Sequence, residues 1–137
     1  MLRSRDESST DSDPGCIFCS GDVRAGAVAE HGTVYAIADA FPVTPGHLLV
    51  IPKRHTRDFF TMTSEELRDT EELLGILRER VLAGDASVTG FNVGVNCGAS
   101  AGQTVLHAHV HLIPRRDGDT DEPRGGVRGV VPAKMGY

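Results

Sequence analysis

An α+β domain with a mostly antiparallel sheet is predicted by three observations on the 137-residue chain. Short runs of β-branched and aromatic residues recur between turns marked by Gly and Pro. A single long segment, residues 63–84, carries its apolar residues at helical spacing. Residues 103–115 suit a pleated, largely buried strand, and Pro114 stops it. Several strands with one long helix make an α+β fold rather than a doubly wound one.

Residues 1–13 are polar, charged and serine-rich, which predicts a flexible tail ahead of a domain spanning 14–137. Apolar content begins abruptly at Cys16-Ile17-Phe18-Cys19. Residues 33–39 read as a strand, and residues 41–46 (FPVTPG) as a turn-rich connection. Residues 47–51 read as a second strand, antiparallel to the first and ended by Pro52. Thr63 followed by Glu66 is a capping-box pattern. Leu67, Leu74, Leu77 and Val81 then recur on one helical face up to the stop at Gly84. Gly75 inside that helix costs roughly 1 kcal/mol against alanine, which predicts close packing there. Residues 91–96 form a third strand, and 96–102 a glycine-rich loop that feeds the histidine segment. The C-terminal tail 116–137 starts polar, but residues 125–137 are too apolar to be idle.

Composition narrows the function. Fourteen Lys+Arg against nineteen Asp+Glu give a net charge of −5. That balance argues against a surface made to coat nucleic acid or an anionic membrane, so any phosphate must be held locally. Neither a run of transmembrane length nor the apolar core of a signal peptide stands out, and a cytoplasmic location is expected. Three cysteines, two of them paired as Cys16-x-x-Cys19, suggest metal or redox chemistry rather than a disulfide framework.

In a strand, His107, His109 and His111 point to one face. Across four residues the outer two are about 13 Å apart, too far to share one ion comfortably at zinc–nitrogen bonds of about 2.0–2.1 Å. The arithmetic favours divided labour. A closed tetrahedral site on Cys16 and Cys19 needs two more ligands, and His47 and His107 are the candidates if their strands are neighbours; a redox pair is the rival reading. His31 and His55 look like exposed turn residues. The loop 98–102 offers free backbone N–H groups as a cradle for an anionic oxygen. Gln103, sharing parity with the histidines, is expected to face the same cleft, with Thr104 beside it.

The run His107-Ala-His109-Val-His111-Leu-Ile resembles the signature of the histidine triad superfamily of nucleotide hydrolases and transferases. Gly102-Gln-Thr-Val before it and Leu-Ile-Pro-Arg after it resemble that family's flanks. The likeness continues through Asp39, the Pro-Gly-His-Leu-Leu-Val-Ile-Pro-Lys stretch at 45–53, the Thr63 helix and Asn96. It is closest to the Hint branch, including bacterial members with an N-terminal Cys-Ile-Phe-Cys. The resemblance implies a homodimer whose half-sheets join into one sheet, and one structural zinc per chain on Cys16, Cys19, His47 and His107. It implies His109 as nucleophile on the α-phosphorus of a purine nucleotide, with His111 on the leaving-group side. Gln103, Thr104 and the loop amides, Gly102 included, would hold phosphate oxygens. Asn96 would line the phosphate pocket, Asp39 would grip the ribose, and Ile17, Phe18, Ile37 and Leu49 would sandwich the base. The implied activity is hydrolysis of a purine nucleoside phosphoramidate or a related nucleoside monophosphate conjugate. Hydrolysis or phosphorolysis of dinucleoside polyphosphates is the second enzymatic reading. A nucleotide-binding regulatory module with little turnover, and a zinc scaffold, are the readings from other classes.

Overall fold

The computed structural model describes residues 12–137. The flexible tail expected over 1–13 therefore lies, but for its last two residues, outside the described part. Five strands make one sheet: β1 (Ala29–His31), β2 (Val34–Ala38), β3 (Leu48–Pro52), β4 (Val88–Gly94) and β5 (Val110–Arg116). Their spatial order is β1-β2-β3-β5-β4, antiparallel throughout, with β5 between β3 and β4. Among the described residues two α-helices accompany them, a short α1 (Gly21–Ala25) and the long α2 (Ser64–Gly84), besides short 3-10 turns. No helix among the described residues is long and apolar enough to cross a membrane.

The period-two rule sorts the core. Val34, Ala36, Val50 and Leu112 face one side of the sheet and are covered by Leu73 and Leu77 of α2. Each fully buried aliphatic side chain there stabilises the fold by roughly 1.5–3 kcal/mol, so this layer holds helix to sheet. Tyr35, Leu49 and Ile51 face the other side and are covered by Phe18, whose carbonyl accepts a 2.7 Å bond from the Tyr35 hydroxyl. The N-terminal segment is thereby fixed on the face opposite α2, the face to which His111 also points.

Helix α2 begins with the expected reciprocal cap: Glu66 N–H donates to Thr63 Oγ1 and Thr63 N–H to Glu66 Oε1. Glu66 is itself buried and held by two bonds from Arg54, each 2.9 Å. Two expectations for this helix change. Its buried residues are Glu66, Thr70, Leu73 and Leu77, a face rotated from the one expected. A Cβ at Gly75 would meet nothing within 4 Å, so that glycine does not serve a close contact.

The histidine strand is also shorter than expected. Only Val110–Arg116 is paired as strand, and residues 103–109 approach it as irregular chain. Ala108 N–H bonds to Thr56 O at 2.7 Å, which anchors this approach beside the segment between β3 and α2. Ahead of the paired strand, His107 is fully buried, with its Nε2 2.8 Å from Pro52 O.

Candidate active site and metal centre

Each triad ring is fixed by one main-chain or imidazole partner, and the partner decides which nitrogen carries hydrogen. A carbonyl oxygen only accepts, so a ring nitrogen against it must be N–H. His107 places Nε2 2.8 Å from Pro52 O, which leaves the lone pair on Nδ1. His109 places Nδ1 2.8 Å from His107 O, which leaves the lone pair on Nε2. For His111 the partner is another imidazole. Val43 N–H donates to His47 Nδ1 at 3.0 Å, so His47 must carry its proton on Nε2. His47 Nε2–H then donates to His111 Nδ1 at 2.9 Å, and the His111 proton sits on Nε2. That Nε2–H is buried without a hydrogen-bond partner among the described residues. Three identical side chains thus present two lone pairs and one donor.

The lone pair of His107 belongs to a cluster. Its Nδ1 lies 3.4 Å from Cys16 Sγ, 3.6 Å from Cys19 Sγ and 3.2 Å from His55 Nδ1, and His55 Nδ1 lies 3.4 Å from Cys19 Sγ. These four distances match the edges of a tetrahedron that would suit one zinc. Bonds of about 2.3 Å to sulfur and 2.0–2.1 Å to nitrogen give edges about 1.63 times longer, close to 3.3 Å for N–N and 3.6 Å for N–S. Two imidazole nitrogens facing each other at 3.2 Å want a proton or a cation between them, and His107 is fully buried. Burial pushes its pKa down to about 4 and pushes the Cys16 thiol up. The donor set is compatible with one zinc.

This corrects the expected ligand set. Cys16, Cys19 and His107 belong to the cluster, but His47 does not, and His55 takes its place. The reason lies in strand direction. In antiparallel β3 and β5, Leu49 pairs with His111, so residues ahead of Leu49 run toward the far end of β5. His107 precedes β5 and can meet only the chain beyond the end of β3, where His55 sits. Composition marked His55 merely as a turn histidine; the β3–β5 pairing was the missing signal.

His47 is 3 % exposed and stands in a second group with Asp39 and His111. Asp39 Oδ2 lies 3.4 Å from His47 Nε2 and 4.0 Å from His111 Nδ1. Burial lowers the pKa of both rings, which Asp39 opposes, while positive charge on His109 and His47 would lower His111 further. Both rings are therefore neutral near pH 7, consistent with the chain of donors above. The Asp39 side chain also accepts from Phe41 N–H at 2.8 Å, as a turn former does.

Gln103 departs from its expected place. It is buried and its amide is fully engaged: Oε1 accepts from Gly98 N–H, and Nε2 donates to Arg57 O and Val105 O. It braces the glycine-rich loop instead of facing the cleft. Gly102 has φ +95°, a conformation that favours glycine, and a Cβ there would lie 3.9 Å from the Asn96 side chain. Thr104 is exposed and lines a small cavity with Ile17 and His55. Of the four apolar residues expected around a base, Phe18 and Leu49 form a buried floor, Ile37 is half-buried and Ile17 is 56 % exposed. Phe18 also sets its edge against His109, with ring centroids 5.1 Å apart. Asn96 lines a larger cavity that also reaches His47 and His111.

A five-stranded antiparallel sheet backed by one long helix, with a histidine row beside a Cys/His cluster, defines the histidine triad class of proteins. The HIT domain matches residues 20–118, and the chain belongs to this family. A HIT family protein from Bacillus anthracis shares its fold at a TM-score of 0.70, with 37% identity over 79% of this chain and 78% of that one. A zinc-bound histidine triad family protein from Mycobacterium smegmatis is similar at a TM-score of 0.68, with 34% identity over 79% and 80% of the two chains. An AP-4-A phosphorylase from Mycobacterium tuberculosis is 39% identical over 69% of this chain, which spans 48% of that protein.

Proposed function

We propose that this protein cleaves a purine nucleoside phosphoramidate, or a related nucleoside monophosphate conjugate, at the α-phosphorus. The observation that carries the reading is the tautomer of His109. The His107 carbonyl holds its Nδ1–H, so Nε2 is a nucleophile that needs no separate base. Its lone pair forms a bond to phosphorus while the bond to the leaving nitrogen or oxygen breaks. His111 Nε2–H donates a hydrogen bond to the departing atom, which takes its proton from solvent. Water then attacks the phosphorus, frees the nucleoside monophosphate and returns His109. The loop amides and Thr104 hold the non-bridging oxygens, Asp39 the ribose, and Phe18, Leu49, Ile37 and Ile17 the base.

Cys16, Cys19, His55 and His107 would hold one zinc, which when bound would brace the chain ahead of β5 and keep His107 unprotonated. Strand β4 is an outer edge of the sheet. A second copy pairing along it joins two half-sheets into one, which makes the protein a homodimer. Three free cysteines suit the reducing cytoplasm. The phosphorylase relative supports a second reading, in which the substrate is a dinucleoside polyphosphate. The test is release of AMP from adenosine 5′-phosphoramidate and from a dinucleoside tetraphosphate. His109→Asn should cut turnover by about a thousandfold or more while AMP affinity changes only a few-fold. Equal turnover by the variant overturns the proposal.

A further inference from the structure

Each imidazole of the Cys/His cluster has a second ring nitrogen that faces away from the other ligand atoms. A ligating ring that donates this outer N–H to an oxygen is held in one tautomer and one orientation, and is more basic for it. For His107 that oxygen is Pro52 O, 2.8 Å from Nε2. His55 presents Nδ1 to Cys19 Sγ and His107 Nδ1, so its outer nitrogen is Nε2. The oxygen facing it is Oδ2 of Asp13, at 3.8 Å. That separation lies about 0.6 Å beyond the hydrogen-bond range and is too short to admit a water between the two. A small rotation of the half-exposed carboxylate closes it.

A tight turn fixes Asp13 in this place. Cys16 N–H donates to Asp13 O at 3.0 Å, and Gly15 N–H donates to Asp13 Oδ1 at 3.0 Å. Pro14 in the second position of the turn presets the backbone, and Asp is favoured in the first. Asp13 N–H also donates to Cys19 Sγ at 3.4 Å. The run Asp13-Pro14-Gly15-Cys16 therefore brings one residue against Cys16, Cys19 and His55 together, by its carbonyl, its N–H and its carboxylate. Asp13, Cys16 and His55 also share the lining of a cavity of about 250 Å³.

Net charge does not account for a carboxylate at this position. Two thiolates would balance one zinc ion, so the loaded cluster would exert little net pull on Asp13. What remains is the N–H of His55, which becomes a stronger donor as Nδ1 gives its lone pair to a metal. We infer that Asp13 is the outer partner of His55 in the metal centre, a positioning residue that keeps Nδ1 turned inward and tightens the hold on zinc. The inference rests on the zinc reading of the cluster, and a wild-type chain that takes up no zinc overturns both.

Asp13→Asn tests it on the full chain. Asparagine suits the same turn and can still accept from Gly15 N–H, but it removes the negative charge and turns an amide donor toward His55. Zinc affinity, measured by competition with a chromogenic chelator, should weaken by about tenfold or more, with saturation still at one zinc per chain. Asp13→Ala, which removes the turn bond as well, should weaken it at least as much. In the zinc-loaded wild type, NMR should show the His55 Nε2–H as a slowly exchanging proton, and Asp13→Asn should shift that signal upfield or lose it to solvent exchange. Affinity of the Asn variant within about twofold of wild type overturns the inference and leaves the zinc reading intact. A tenfold loss with the His55 proton unmoved also overturns it, because Asp13 would then act through the turn alone.

Discussion

The two ends of the histidine segment make opposite use of the same side chain. At the His107 end, four ligand atoms converge within 4.8 Å of one another and the ring is fully buried. At the His111 end, a hydrogen-bonded file from Val43 through His47 finishes in a donor with no partner among the described residues. His109 lies between, oriented by the carbonyl of the first histidine. The difference teaches that an imidazole's role is set by what meets its other nitrogen. One carbonyl leaves a lone pair among the cysteines, the next leaves one at the proposed nucleophile, and a second imidazole leaves a donor.

Three experiments would break or sharpen this contrast. The largest effect belongs to the metal cluster. His55→Ala or Cys16→Ser should reduce zinc content from one per chain to near zero, whereas His47→Asn should leave it at one. A ligand present at a thousandfold its Kd stabilises by about 4 kcal/mol. Losing it should lower Tm by roughly 10 °C for a domain of this size. Zinc lost from the His47 variant and kept by the His55 variant would reverse the assignment of the two ends.

Next comes His47 itself. Replacement by Asn removes the donor that sets His111, and turnover should fall by roughly 10–100-fold with little change in nucleotide affinity. Single-turnover kinetics beside equilibrium binding would separate the two; a pure loss of affinity would make His47 a substrate contact instead of a positioning residue.

The smallest expected effect is acid sensitivity with zinc removed by chelation. His107 is held down to about 4, against an ordinary 6.5, chiefly by burial, and His47 and His111 are lowered as well. Between those two values the unfolded chain binds more protons than the folded one. The stability that this supplies is full above pH 6.5 and drains away as pH falls through about 4. Tm should therefore decline by several degrees between pH 7 and pH 4.5 in calorimetry, steepening below 6.5. A flat profile would mean that the buried ring costs nothing to charge.

Much of this was legible from residue order. The capping box at Thr63 and Glu66 announced α2, and the strand pair around residues 33–52 announced β2 and β3, because caps and alternation are local effects. The Cys16–Cys19 pair and the triad were visible as donors for the same reason. What failed were inferences that extended a local rule past its range. Period two was carried from Val110 back to Gln103, where the chain leaves the pleat and Gln103 folds inward onto Gly98. Helical spacing predicted a buried face with Leu67 and Val81, but the sheet beneath selects Thr70 and Leu73.

The amino-acid sequence alone determined which chemistry is present: two thiols, a row of imidazoles, a carboxylate at a strand end and a loop rich in glycine. It could not determine partnership: residue order favoured His47 as the fourth ligand and left His55 as a turn residue. Only the antiparallel placement of β3 against β5 decided between them. It carries the start of one strand to the end of the other, and so sends His55 to the cysteines and His47 to His111. Proximity across strands is a property of register, and register is settled by the packed sheet as a whole.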